Sequence, residues 1–295
     1  MFTAAVWQPT TGAARGDKSR AAGRSHAALC RNAYGVVVDM ERAVTLNIWG
    51  RGSAWRRRLP LVRAELVRLG PDLVGLQEVW RRGSRCQAER IADALGHHVT
   101  YAPACSTRTR ATQGNALLSR APVTRYEVLP LPTPGVEPRS VLCAEVGSTT
   151  VLVTHLTWEW EHADIRQQQV RFLAELVAGH GGRDVVLLAD LNAAPDTDEI
   201  RWLTSRMEDA WARGGRGPGH TYTPVNVHAR KAREPARRID YILTAGLRAA
   251  HAELAFTTPH LTARGPRWPS DHFGVVCDLA SGPHPSPDTT APTEG

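Results

Sequence analysis

Polar residues stand where apolar runs of this chain break off. Asn47 falls inside "AVTLNIW", Glu78 closes "VGLQE", His155 closes "VLVTH", and Asp190 and Asn192 follow "VVLLA". Asp240 opens "DYIL", while Asp271 and His272 lie side by side ahead of "FGVV". Singly, each fits a turn or a cap, or an exposed strand end. Together they suggest buried polar groups organised by a hard divalent cation, since uncompensated burial of such groups is costly. Mg²⁺ takes oxygen ligands, commonly one or two carboxylates plus waters and phosphate oxygens. Glu78 with Asn47 supplies a carboxylate and an amide oxygen. His272 can bind a phosphate or deprotonate water, and a carboxylate beside it would fix its tautomer. Asp190 and Asn192 alternate along one segment, so one can orient a water while the other donates to developing charge. No GxSxG elbow, Walker loop or GxGxxG run competes.

The elements that must position these groups are strands alternating irregularly with helices. "AVTLNIW" reads as a strand, and residues 55–70 as a helix with Leu59, Val62, Leu66 and Leu69 on one face, stopped by Gly70-Pro71. A short strand follows at 73–79 and a second helix at 87–96. "HVTYA", "NALLS", "RYEVL", "SVLCAEV" and "TVLVTH" then succeed one another as strands, before an amphipathic helix over 164–179. Strands at 184–189, 239–243, 251–256 and 274–279 complete the pattern. Many strands with a few long helices predict two packed sheets flanked by helices, an α/β (α+β) architecture. Residues 1–40 are rich in Ala, Gly, Arg and Ser and read as a disordered leader; 281–295, rich in Pro, Ser and Thr, read as a disordered tail. One domain is expected over 41–280.

Bulk properties bound the function. The 295 residues are ample for a large core, and 22% charged with 42% hydrophobic residues is an ordinary globular balance. The net charge of +7 favours phosphate-bearing partners without specifying a reaction. Five scattered cysteines suggest neither a disulfide framework nor a zinc site, and Cys143 and Cys277 read as core thiols. No run is long and apolar enough for a membrane span, and no signal core precedes the first strand, so a monomer in the reducing cytoplasm is the expectation.

The ordered blocks "TLNIWG", "PDLVGLQEV", "GNALLSR", "VTHL", "LLADLNAAPDTDEI", "RRIDYIL" and "SDHFGVV" resemble the endonuclease/exonuclease/phosphatase family of DNase I-like enzymes. The resemblance spans about residues 41 to 280. It implies a four-layer α/β/β/α sandwich with the site at one end of the sheets. It also implies Asn47, Glu78 and Asp271 near the metal, His155 on the scissile phosphate, Asp190 on the water and Asn192 as a transition-state donor. Asp240, rather than the adjacent Asp271, becomes the partner of His272, because neighbouring residues on an extended chain point to opposite sides. Asn115 is expected near the site, Arg139 as a phosphate contact or a structural residue, and Arg120 as a structural ion pair. Trp158 and Trp160 would either wall the leaving group or pack the domain edge. Thr221 and Tyr222 of "GHTYTP" would buttress the site. The expected activity is Mg²⁺-dependent (alternatively Mn²⁺-dependent) hydrolysis of a phosphate ester. A DNA endonuclease or exonuclease and a catalytically inactive phosphate-binding module are the alternatives. The run "RGSAWRRR" would meet a nucleic-acid backbone in the nuclease reading and would otherwise be a solvated helix start.

Overall fold

The computed structural model describes residues 30–31, 37–38, 40–106 and 111–281. Within the expected leader, β1 (Cys30–Arg31) pairs antiparallel with β2 (Val37–Val38), and Met40 already belongs to the next strand; the rest of the leader, and the tail beyond residue 281, lie outside the described residues. The first large unit is β3 (Met40–Asn47), α1 (Trp55–Leu69), β4 (Leu73–Arg82), β5 (Arg85–Cys86), α2 (Gln87–Ala92), β6 (His98–Ser106) and β7 (Thr112–Ser119). Then come β8 (Val123–Pro130), β9 (Ser140–Val146), β10 (Thr149–His155), α3 (Ala163–Gly179), β11 (Asp184–Asp190), α4 (Asp198–Thr204), β12 (Glu208–Asp209) and α5 (Ala210–Gly214). The chain closes with β13 (Asp240–Ala245), β14 (Leu247–Ala255), a β15 (His260–Thr262)–β16 (Gly265–Arg267) hairpin and β17 (Gly274–Ser281).

Period-two alternation sorts these strands into layers. In β3, Ala43 joins the cluster between the sheets, while Val44 and Leu46 join a second cluster with Leu59, Val62 and Leu66 of α1. In β11, Val186 and Leu188 face that same central cluster, and Val185, Leu187 and Ala189 pack outward with Val170 and Leu173 of α3. Two mixed sheets therefore stack face to face with helices outside, the expected sandwich. Their strand orders are β14-β17-β3-β4-β7-β6, with β5 on β4, and β12-β13-β11-β10-β9-β8.

Each sheet is centred on one parallel pair, β3–β4 and β10–β11, joined across α1 and α3 respectively. Parallel strands need such a crossover, and ligands collect beyond their carboxyl ends. Asn47 and Glu78 end one pair; His155 and Asp190 end the other and face each other in register. Gly75 brings the two sheets close. A Cβ there would stand 2.4 Å from the Leu188 side chain. The gap is narrow enough for the Gln77 amide to donate across it to the Leu188 carbonyl at 3.2 Å.

α1 stops where expected: Gly70 takes a left-handed φ of 60° and its N–H closes on the Leu66 carbonyl at 2.9 Å. The second helix is shorter than its sequence suggests. It ends at Ala92, and residues 93–96 tighten into turns whose N–H groups of Leu95 and Gly96 both reach the Ala92 carbonyl.

Candidate active site

Glu78 leaves the regular strand to reach the site. The β4–β7 register slips between Leu76 and Val79, and Glu78 takes φ 57°, a left-handed conformation that costs a non-glycine residue about 1 kcal/mol or more. The bulge re-aims its carboxylate into a cavity of about 310 Å³ shared with Asn47, Asp271, Asp190 and both histidines. Asn192 is left-handed too (φ 52°), and its N–H bonds the Asp190 Oδ1 two residues back at 3.1 Å, a turn that suits asparagine.

Asp190 sits at the centre. Its Oδ2 accepts from Asn47 Nδ2 at 2.9 Å and lies 3.5 Å from His155 Nε2 and 3.9 Å from His272 Nδ1. Burial and the neighbouring Asp240 raise its pKa to about 7. The two histidines are held in opposite charge states. Burial, then the Arg139 guanidinium 3.1 Å from its Nδ1, keeps His155 well below the ordinary histidine value and so neutral. Arg139 can only donate, which leaves the ring proton on Nε2, facing the Asp190 carboxylate at 3.5 Å. Burial works against a charged His272 as well, but Asp240, Asp190 and Asp271 outweigh it and hold its pKa well above the ordinary value. Its Nδ1–H donates to Asp240 Oδ2 at 2.9 Å, so the sequence-expected partner is the one in contact. Tyr222 meets the His272 ring edge-on, with centroids 5.1 Å apart.

The remaining carboxylates fit a cation. Burial and mutual repulsion raise Glu78, and burial raises Asp271. Two facing oxygen donors that disfavour ionisation in the absence of positive charge form a donor set suited to Mg²⁺ or Mn²⁺. The Asn47 amide lies beside them, with its NH₂ bridging Glu78 Oε1 (3.2 Å) and Asp190 while its Oδ1 accepts from the Trp49 N–H. Asp190, Asp240 and His272 also offer ligand atoms within 4.8 Å of one another. There, however, the imidazolium already supplies the positive charge.

The supports come from far along the chain. Ser270 Oγ donates to the Asn47 carbonyl at 2.6 Å. Arg58, buried, spreads its guanidinium over the carbonyls of Ile48, Trp49, Gly52 and Pro269 at 2.8–3.1 Å, and Nε donates to Ser53. Burial lowers Arg58 to about 10, which leaves it charged. Thr221 Oγ1 accepts from the N–H groups of Ile239 and Asp240, the buttress expected of that loop.

Other sequence expectations divide. Arg139 is buried, lines the cavity and bonds both His155 and Glu137. Trp158 and Trp160 are 55% and 50% exposed on the cavity wall, so packing at the domain edge is not their arrangement. Asn115 is outside the main cavity. Its buried amide donates to the Ser140 carbonyl at 2.9 Å, tying one sheet to the other. Arg120 forms its ion pair with Asp72 at 2.6 Å. Sequence reasoning missed Arg58, Ser270, and Arg237, whose guanidinium lies 3.8 Å over the Trp160 ring and pairs with Glu234. Each stood in a quoted run, Arg58 in "RGSAWRRR", Ser270 in "SDHFGVV" and Arg237 in "RRIDYIL", but no local pattern there marked it.

A sequence profile described as the Endonuclease/Exonuclease/phosphatase family matches residues 44–272. The chain belongs to this family. Its description names nucleases and phosphatases, enzymes that cleave phosphate esters. The Escherichia coli protein YbhP is 28% identical over 250 residues, covering 76% of this chain and 93% of that protein. Among solved structures, an endonuclease/exonuclease/phosphatase from Beutenbergia cavernae superposes with TM-score 0.66 at 25% identity, covering 83% of this chain and 72% of the other. The mannosyl-6-phosphatase of Bacteroides thetaiotaomicron shares the fold, with TM-score 0.65 at 16% identity over 81% of this chain and 99% of its own.

Proposed function

We propose that the chain is a divalent-cation-dependent hydrolase of phosphate esters. One observation carries this reading: a fully buried carboxylate, Asp190, is poised near neutrality between a neutral His155 and a cationic His272 on the wall of an open cavity. That arrangement suits a base for water beside a fixed positive charge for the phosphoryl group. Glu78 and Asp271 would hold Mg²⁺ or Mn²⁺ with Asn47 beside them, and the ion would supply positive charge to polarise a phosphoryl oxygen. Ionised Asp190 orients the attacking water and takes its proton as the O–P bond forms. His272, anchored through Nδ1 on Asp240, turns Nε2–H to the phosphate and supplies the proton with which the ester oxygen departs. His155 and Asn192 donate to the equatorial oxygens. Trp158 offers an apolar wall to the leaving group.

The test is hydrolysis of bis-p-nitrophenyl phosphate with Mg²⁺ or Mn²⁺ and with EDTA. Metal-dependent turnover should fall about a thousand-fold or more, ~4 kcal/mol, in His272→Ala and in Asp190→Ala. Near-wild-type turnover by His272→Ala, or no metal-dependent release from any phosphoester tried, would refute the reading.

A further inference from the structure

A basic, aromatic surface begins two residues beyond Glu78 and takes no part in the chemistry above. β4 leaves the site and carries Trp80 and then Arg82, while Trp55 opens α1 beside it, the two indoles 6.1 Å apart and both half-buried. Arg51 lies 5.0 Å over Trp80 and Arg56 4.7 Å over Trp55. With Arg82, Arg85 and Arg90 they surround a depression of about 120 Å³ that no acidic residue lines. All five arginines are exposed. None forms an ion pair among the described residues, whereas ten other arginines do, Arg42, Arg120 and Arg183 among them. Like charges crowded without counter-charge cost stability unless a partner supplies the anions.

The surface is also built rigidly onto the site. Gln87 accepts from the Trp80 N–H and donates to the Gly50 carbonyl, both at 2.8 Å. Trp80 is thereby tied to the loop that follows Asn47. Of "RGSAWRRR", Arg58 is spent inside the fold, but Arg51 and Arg56 remain free to face a partner.

We infer that this surface holds a single-stranded nucleic acid outside the cleft, its phosphates on the arginines and its bases on the indole and guanidinium faces. Flat aromatic and guanidinium layers stack any base, and unpaired arginines follow a backbone without reading sequence. A duplex presents phosphates but hides the base faces, so the exposed stacking layers select the single strand. Tied through Gln87 to the loop that follows Asn47, the surface makes the substrate a strand rather than a small ester; that last step rests on the phosphoesterase reading.

Anisotropy of dye-labelled oligothymidylate and oligouridylate, in EDTA to prevent cleavage, tests it. Five phosphate contacts on a single strand give a log–log salt slope of about −3.5, and Arg82→Ala/Arg85→Ala should flatten it to about −2. Trp80→Ala should weaken binding about ten- to hundred-fold. The arginine double variant should cleave bis-p-nitrophenyl phosphate like wild type. The inference falls if that variant binds the oligonucleotides as wild type does. It also falls if a duplex, polyphosphate or anionic phosphatidylserine vesicles compete as well as the single strand while Trp80→Ala changes nothing. If no phosphoester is turned over yet binding maps to these residues, the catalytic reading fails and the binding surface stands.

Discussion

Asp240→Asn should shift the whole pH profile of the enzyme toward acid. Asp240 is fully buried and accepts from His272 at 2.9 Å. Two unit charges that close attract by roughly 6 kcal/mol at an effective dielectric of about 20. Asparagine keeps the shape and an accepting oxygen, and Asp190 and Asp271 stay near His272, so about half of that attraction should be lost. The descending limb, set by the requirement for protonated His272, should then move down by about two pH units. The ascending limb belongs to Asp190, whose pKa of about 7 is held up by burial and then by the charge of Asp240. Removing that charge lowers it, so the ascending limb moves down as well. On the alkaline side of the shifted limb, loss of the imidazolium should reduce kcat about a thousand-fold, ~4 kcal/mol. The assay is kcat/KM for bis-p-nitrophenyl phosphate across pH at fixed Mg²⁺, with the His272 ring titration followed by NMR in EDTA. A descending limb that stays put, or limbs that move in opposite directions, would refute the reasoning.

Asp190→Asn should abolish turnover yet stabilise the fold at alkaline pH. A carboxyl whose folded pKa is raised from 3.8 to about 7 costs stability once it is ionised. That cost is absent below about pH 4 and complete above about pH 7, so in EDTA the gain of ~2 kcal/mol should appear in Tm at pH 8 and vanish near pH 4. Thr221→Val should leave two buried N–H groups unpaired, lowering stability by about 2–4 kcal/mol by urea denaturation and displacing Asp240 enough to depress kcat. Mg²⁺ at about a hundred times its Kd should raise stability by about 2.7 kcal/mol. Thermal scans should show that gain shrinking as pH falls, because protons compete for the raised carboxyls of Glu78 and Asp271, and lost in Glu78→Gln.

What could be read from sequence was whatever leaves a mark on local pattern. Polar residues at the ends of Val/Leu runs announced Asn47, Glu78, His155, Asp190 and His272, because an apolar run has few reasons to stop on a carboxylate facing its own core. The family resemblance pointed to Asp240 for His272, and strand alternation set the adjacent Asp271 aside. The conformations did not show: Glu78 and Asn192 adopt left-handed backbone with no glycine to mark it, and tertiary contacts impose that geometry. Arg58 misled for a related reason. Arginine in a basic run reads as solvated, and only the convergence of six carbonyls from two loops makes its burial favourable. For Trp158 and Trp160 sequence left two readings open, a wall for the leaving group or packing at the domain edge, and both indoles lie exposed on the cavity wall.

The ties that close the site span nearly the whole chain: Asn47 to Asp190 across 143 residues, Arg58 to Pro269 across 211 and Ser270 to Asn47 across 223. During synthesis, then, the Glu78 segment waits for the last strand before it has a pocket to face. The ribosome must release the region around Ser270–His272 before the site can assemble. On a nascent chain the site is incomplete until that region has emerged, because Asn47 and Arg58 lack their distant partners before then.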